Sequence, residues 1–164
     1  MRYGEIAVVT PQDLDAEKLV RVVCPEVHQA SGTFFFGRRP ITDNLTLHIY
    51  GIQVPSAPDM HRWDLLLPRA LGLVVAYRWH ERSSLEQAQQ LLDFFCSTWH
   101  LPVLVAADTG EFAPPVPLSF YAEGIRLSAT TKFVFFQMHD PSSVRRLYTM
   151  LLDALVDRVS DLYS

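Results

Sequence analysis

The residues with the clearest chemical meaning stand where a strand pattern turns into a helical one, in the stretch EIAVVTPQDLDAEKLVRVV, residues 5–23. In many α/β proteins such a junction is a phosphate cradle, because glycines let backbone amides converge on an anion at the helix N-terminus. This junction has no glycine, and Asp13, Asp15 and Glu17 stand where a phosphate would lie. Asp13 or Thr10 is expected to cap the helix, so that the helix supplies its own anion.

Histidines and cysteines, which often carry chemistry, form no recognised pattern here. The six histidines include no pair at i, i+4 spacing, and we expect neither a metal site nor a cofactor. No G-x-S-x-G element follows a strand, so hydrolase chemistry has little support. Cys24 and Cys96 lie in apolar contexts without C-x-x-C spacing, which favours free thiols.

Length and composition predict one domain over residues 1–164, since 49% of the residues are hydrophobic and 20% are charged. The net charge of -4 and the scattered basic residues argue against nucleic acid or an anionic membrane as the main partner. No stretch has the pattern of a signal peptide or a bilayer-spanning segment. These features favour a soluble, cytoplasmic protein.

Strand and helix patterns alternate along the chain, which is typical of an α/β sheet with helices on its faces. Helices are expected over 13–23, 61–67, the stretch that follows Ser83, and the stretch that follows Asp140. Ser83 with Glu86 has the spacing of a capping box, and Asp140 followed by Pro141 marks a helix start. The segment that begins at Glu111 is expected to be a loop with one irregular helix. The six predicted strands cover 5–10, 33–38, 45–51, 73–77, 103–107 and 133–138, with the second and third forming an antiparallel hairpin.

Two longer stretches carry a family resemblance: TLHIYGIQVPSAPDMHRWDLLLPRALGLVVAYRWH and SLEQAQQLLDFFCSTWHLPVLVAADTGEF. Together with the order of the elements, they resemble bacterial Ras-like small GTPases of the MglA type over nearly the whole chain. The resemblance implies a P-loop NTPase-like three-layer sandwich. Its sheet would have six mostly parallel strands, with one antiparallel strand at the edge.

Each nucleotide-binding motif of that family is altered in this chain. Against G-x-x-x-x-G-K-[ST], Thr10 and Asp15 stand at the glycines, Ala16 at the phosphate-binding lysine and Glu17 at the magnesium-binding hydroxyl. GIQV, residues 51–54, replaces the D-T-P-G motif. DTGE, from Asp108 to Glu111, replaces N-K-x-D, and Gln137-Met138 replaces S-A-x. Without the ammonium group and with carboxylates nearby, a triphosphate should not bind. The resemblance therefore implies a non-catalytic pseudo-GTPase.

A protein-interaction surface is expected at the hairpin edge and the segment after it, residues 33–39 and 52–67. In one interpretation, Phe35, Arg38 and Arg39 form an exposed edge, with Gln53 and Trp63 beside it. In the other, Phe34 and Phe36 face the core, Phe35 is partly covered by a loop, and Trp63 is a core residue. By resemblance, the partners would be Roadblock-type dimers or an MglA-like GTPase in polarity or motility control.

Two other functions stay open. The chain could bind GTP or ATP in an unconventional pocket, with Asp108 or Glu111 contacting the base. It could also be a small-molecule sensor that uses the emptied cleft.

Arg78, at the end of a buried strand, is expected to pair with Asp15 or Glu17.

Overall fold

The apolar runs form the centre of a seven-stranded sheet in the computed structural model, which describes residues 1–54, 67–79, 81–98, 100–111 and 131–163. The strands lie in the order β2-β3-β4-β1-β5-β6-β7. The chain is thus α/β with a mostly parallel mixed sheet. The strands are β1 (Arg2–Pro11), β2 (Val27–Ser31), β3 (Phe34–Thr42), β4 (Leu45–Val54), β5 (Ala70–Arg78), β6 (Val103–Asp108) and β7 (Thr131–Phe136).

Strand direction confirms the predicted hairpin and corrects the predicted edge. β1, β4, β5, β6 and β7 pair in parallel, and β3 is antiparallel to both β4 and β2. The expectation of six strands with β3 at the edge was wrong, because β2 pairs with the outer side of β3. Most side chains of β2 are exposed, and its sequence, VHQAS, has no apolar run. The apolar pattern therefore did not predict this strand.

Helices cover both faces of the sheet. They are α1 (Ala16–Arg21), α2 (Arg82–Thr98) and α3 (Pro141–Tyr163), and a single 3-10 turn spans Leu67–Arg69. Apolar side chains of α2 pack with one face, which we call the α2 face. Those of α1 and α3 pack with the other, the α1/α3 face. No helix in the described ranges is long and apolar enough to cross a lipid bilayer.

The helix boundaries test the predicted caps. The Asp140 side chain accepts a hydrogen bond from the Ser142 amide at 3.0 Å, which confirms the predicted start of α3. The capping box was wrong, since α2 begins at Arg82 and Ser83 lies inside the helix. The predicted helix over 61–67 and the predicted loop after Glu111 lie almost wholly outside the described residues.

Two glycines let α1 approach the sheet closely. A Cβ atom on Gly51 would lie 2.7 Å from a methyl carbon of Val20 and 3.1 Å from the Ala16 carbonyl oxygen. One on Gly37 would lie 2.9 Å from a methyl carbon of Val20, and 2.6 Å from the sulfur of Cys24, which follows α1. Glycine at these positions therefore fixes the depth at which α1 sits, and with it the position of the strand-to-helix junction.

Candidate functional site

The strand-to-helix junction lies at the carboxyl edge of the parallel strands. β1 ends at Pro11 and α1 begins at Ala16. The neighbouring strands β4, β5 and β6 end at the same edge with Val54, Arg78 and Asp108. Open α/β sheets bind ligands at this edge, so the junction stands where a ligand would be expected.

The junction closes on itself through Thr10 and Leu14. Thr10 is fully buried, and its hydroxyl donates a hydrogen bond to the Leu14 carbonyl at 2.7 Å. The Leu14 amide donates to the Pro11 carbonyl at 3.2 Å, and the Leu14 side chain is buried in the core of the α1/α3 face. A cradle needs free amides that point outwards at an anion. Here the Leu14 amide donates its hydrogen bond to Pro11 within the turn, so it does not point outwards at an anion.

The three carboxylates of the junction have separate partners. Asp15 caps α1, since its side chain accepts a hydrogen bond from the Lys18 amide at 3.2 Å. Glu17 forms an ion pair with Arg21 one turn later. Asp13 accepts a hydrogen bond from the Ser84 hydroxyl at 3.3 Å. The expectation that Asp13 or Thr10 caps the helix was wrong, because the helix begins only after Asp15.

Ser84 ties the junction to β5, a role that was not predicted from the sequence. This buried hydroxyl accepts a hydrogen bond from the Arg78 amide at 2.9 Å and donates to Asp13. The ion pair expected between Arg78 and Asp15 or Glu17 is absent among the described residues. The Arg78 backbone, rather than its guanidinium, links β5 to the junction.

Ala16 is fully buried at the first position of α1, where the resemblance places the phosphate-binding lysine. Its carbonyl oxygen lies against Gly51, so the backbone itself packs closely on β4. This position therefore holds a buried methyl group, whereas a nucleotide-binding site would need a cation there.

Asp108 orders the loop that follows β6. One oxygen of its carboxylate accepts hydrogen bonds from the amides of Gly110 at 3.1 Å and Met138 at 3.0 Å. Gly110 has φ +61°, which favours glycine at this turn. Glu111, the other acid matched to the base-reading motif, is exposed. The two acids therefore differ, since Asp108 holds the loop together and Glu111 faces solvent.

The residues expected at the partner surface lie in different environments. Phe35 is only 6% exposed, so it is no part of an exposed cluster, and its two aromatic neighbours are the half-buried ones. Arg38 and Arg39 are exposed, on opposite faces of β3. The Gln53 side chain donates to the Gln12 carbonyl at 2.6 Å. Trp63 lies outside the described residues.

Five rings on the α2 side of β1, β3 and β4 form a surface that we call the aromatic face: Tyr3, Phe34, Phe36, His48 and Tyr50. His48 lies 4.7 Å from Tyr3 and 5.3 Å from Phe36, between ring centroids. Tyr50 lies 5.2 Å from Phe36 and 5.7 Å from Phe34. Alternate residues of FFF in β3 and LHIY in β4 are aromatic, and this spacing places their rings on one side of each strand. Only the register of β3 on β4 brings the rings of the two strands together.

Charged groups flank the aromatic face. The Arg38 guanidinium lies 5.4 Å from the centroid of Phe36. Glu5 accepts a hydrogen bond from the Tyr50 hydroxyl at 3.3 Å, and its other oxygen lies 3.3 Å from Nε of Arg69. Burial, and then the charge of Arg38, lowers the pKa of His48. Burial and Glu5 raise the pKa of Tyr50.

A small cavity of about 250 Å³ lies between the end of β5 and the start of α2. It is lined by Tyr77, Trp79, Glu81, Arg82 and Leu85. The Tyr77 hydroxyl is buried and has no hydrogen-bond partner among the described residues. Within the same ranges, no three His, Cys, Asp or Glu side chains gather as metal ligands would.

Comparison of the chain with protein-family models finds no match, and comparison with curated proteins finds none either.

Proposed function

We propose that this chain is a non-catalytic pseudo-GTPase with a Ras-like fold that acts as a protein-interaction module. The sheet supports the fold assignment. Without β2, the strands form the six-stranded, mostly parallel sheet with an antiparallel edge strand that the sequence resemblance implies. Helices on both faces agree with a three-layer sandwich.

The observation that carries the proposal is the closed turn at the junction. Hydrogen bonds from the Thr10 hydroxyl to the Leu14 carbonyl and from the Leu14 amide to the Pro11 carbonyl close the turn, and the Leu14 side chain is buried in the core of the α1/α3 face. Ala16 adds no cation. A phosphate placed here would meet Asp13 and Asp15, at a cost of about 1 kcal/mol for each close exposed charge pair.

The partner class follows from the resemblance. In our proposal the protein is cytoplasmic and binds a Roadblock-type dimer or an MglA-like GTPase through the β3–β4 hairpin and the segment that follows β4. Of the residues named for this surface, Arg38 and Arg39 have the exposure that such a role needs. Exposed arginines are enriched at protein interfaces and support this location.

Calorimetric titration of the purified chain with GTP, GDP and ATP in the presence of Mg²⁺ tests the loss of nucleotide binding. We expect no heat of binding up to about millimolar nucleotide, the range in which binding energies fall to about 4 kcal/mol. An active MglA-type GTPase, titrated under the same conditions, is the positive control. Micromolar binding of any of the three nucleotides would contradict the proposal and favour a nucleotide-binding protein with an unconventional pocket.

A further inference from the structure

We propose that the aromatic face is a docking surface for an acidic protein segment with apolar side chains. This inference deepens the proposed function, since it rests on the chain being an interaction module and names where and what it binds. The partner would therefore contact one face of the sheet, and not only the edge formed by the β3–β4 hairpin. The face consists of Tyr3, Phe34, Phe36, His48 and Tyr50.

The rings of this face are only partly covered. Tyr3 is 58% exposed, and the other four are half-buried. α2, the described helix on this side of the sheet, makes its main contacts with β5 and β1, and of the five rings Phe34 and Tyr50 pack at the border of that core. α1, which contacts β3 and β4, packs on the α1/α3 face. The rings therefore form a connected apolar surface of the kind that interfaces use as anchors.

The charges around the rings select the sign of the partner. Arg38 and Arg69 both point to this side, one over Phe36 and the other beside Glu5. Glu5 is the carboxylate of the cluster, and it is already engaged by Tyr50 and Arg69. In a chain whose net charge is -4, this face leans to positive charge. Asp or Glu residues that flank apolar side chains would complement it.

A single nucleic-acid strand fits the surface less well. Proteins that bind single strands combine stacking rings with a basic groove that follows the backbone. The aromatic face offers two arginines, and the chain as a whole is acidic. A second copy of this chain is also disfavoured, because a twofold contact through this face would bring the same arginines together.

The test uses a phage-displayed library of random dodecapeptides, panned against the purified chain. We expect the selected sequences to carry net negative charge and aromatic or aliphatic residues. Synthetic peptides made from them should bind in fluorescence polarisation, and Arg38→Glu should weaken that binding about tenfold or more. Tyr3→Ser, which removes the most exposed ring, should also weaken it.

Arg145→Glu is the matched control, since it makes the same charge change at an exposed position of α3 on the opposite face. It should leave peptide binding within about twofold of the wild type, a difference under about 0.5 kcal/mol. Equal loss in Arg145→Glu and Arg38→Glu would overturn the proposal, as would selected peptides without negative charge. Tight binding of an oligothymidine or dimerisation abolished by Arg38→Glu would assign the face to another partner and also overturn it.

The experiments distinguish failure of the docking-surface proposal from failure of the pseudo-GTPase proposal. Nucleotide binding would remove the pseudo-GTPase proposal whatever the peptides do. Silent nucleotide titrations together with peptides insensitive to Arg38→Glu would remove only the docking surface.

Discussion

The hydroxyl of Tyr148 in α3 donates a hydrogen bond to the backbone carbonyl of Leu19 in α1, 2.7 Å away. Leu19 lies in the last turn of α1, where carbonyl groups lack partners within the helix. Tyr148 thus satisfies a buried acceptor and fixes the C-terminal helix to the helix that follows the junction. Burial, and then the nearby Cys24, raises the pKa of Tyr148.

Tyr148→Phe should therefore lower the free energy of unfolding by about 1–2 kcal/mol, because the Leu19 carbonyl would stay buried without its donor. Urea denaturation followed by circular dichroism measures the change. Tyr77→Phe is the matched control, since the Tyr77 hydroxyl is also buried but has no hydrogen-bond partner among the described residues. It should change stability by less than about 0.5 kcal/mol or stabilise the fold. Equal losses in both variants would contradict the role given to Tyr148.

Gly51→Ala should destabilise the protein by about 1–3 kcal/mol, because the added methyl would press on Val20 and on the backbone of Ala16. The same denaturation experiment measures it. Gly32→Ala tests the specificity of this effect, since a methyl there meets nothing within 4 Å and the backbone at Gly32 is not left-handed. It should stay within about 0.5 kcal/mol of the wild type. If the two variants are equally stable, α1 does not pack on β4 as closely as described.

Asp15→Ala should cost about 1 kcal/mol, because it removes the acceptor for the Lys18 amide at the start of α1. Asp15→Asn keeps an acceptor oxygen and should lose less. Thermal unfolding of the two variants beside the wild type gives the comparison. Equal losses in Asp15→Asn and Asp15→Ala would show that the charge of Asp15, and not its acceptor oxygen, stabilises the start of α1.

His48 should make stability depend on pH below neutrality. Its pKa in the folded protein is lowered from 6.5, first by burial and then by Arg38, while Glu5 acts in the opposite direction. The unfolded chain therefore takes up a proton at a higher pH than the folded chain does. The contribution to stability is complete above about pH 6.5 and is lost as the pH falls towards the folded pKa. His48→Gln should flatten the fall in unfolding free energy measured between about pH 7 and pH 5. Identical profiles for variant and wild type would exclude the effect.

Cys24 should be unreactive in the folded protein. Its side chain is 2% exposed, and burial raises the pKa of the thiol to about 11. In a Cys96→Ser variant, so that one thiol is counted, Ellman's reagent at about pH 8 should label Cys24 only after denaturant is added. Rapid labelling of the folded variant would show that the segment after α1, where Cys24 lies against Gly37, opens in the folded protein.

The sequence determined the elements whose signal is local. Apolar runs predicted six of the seven described strands, helical spacing predicted α2 and α3, and Asp140 with Pro141 predicted the start of α3. The residues matched to the nucleotide motifs, from Thr10 to Glu17, do stand at the carboxyl edge of the sheet. These features follow from side chains a few positions apart, so a single chain segment is enough to specify them.

The tertiary structure decided the features that depend on residues far apart in the chain. β2 is a strand because β3 offers it an edge, although its own sequence is polar and exposed. Ser84 reaches Asp13 across 71 positions, and Tyr148 reaches Leu19 across 129. The aromatic face exists only because the register of three strands brings its rings to one side. Such contacts form when the packed core fixes distant backbones relative to each other, and no local pattern encodes that geometry.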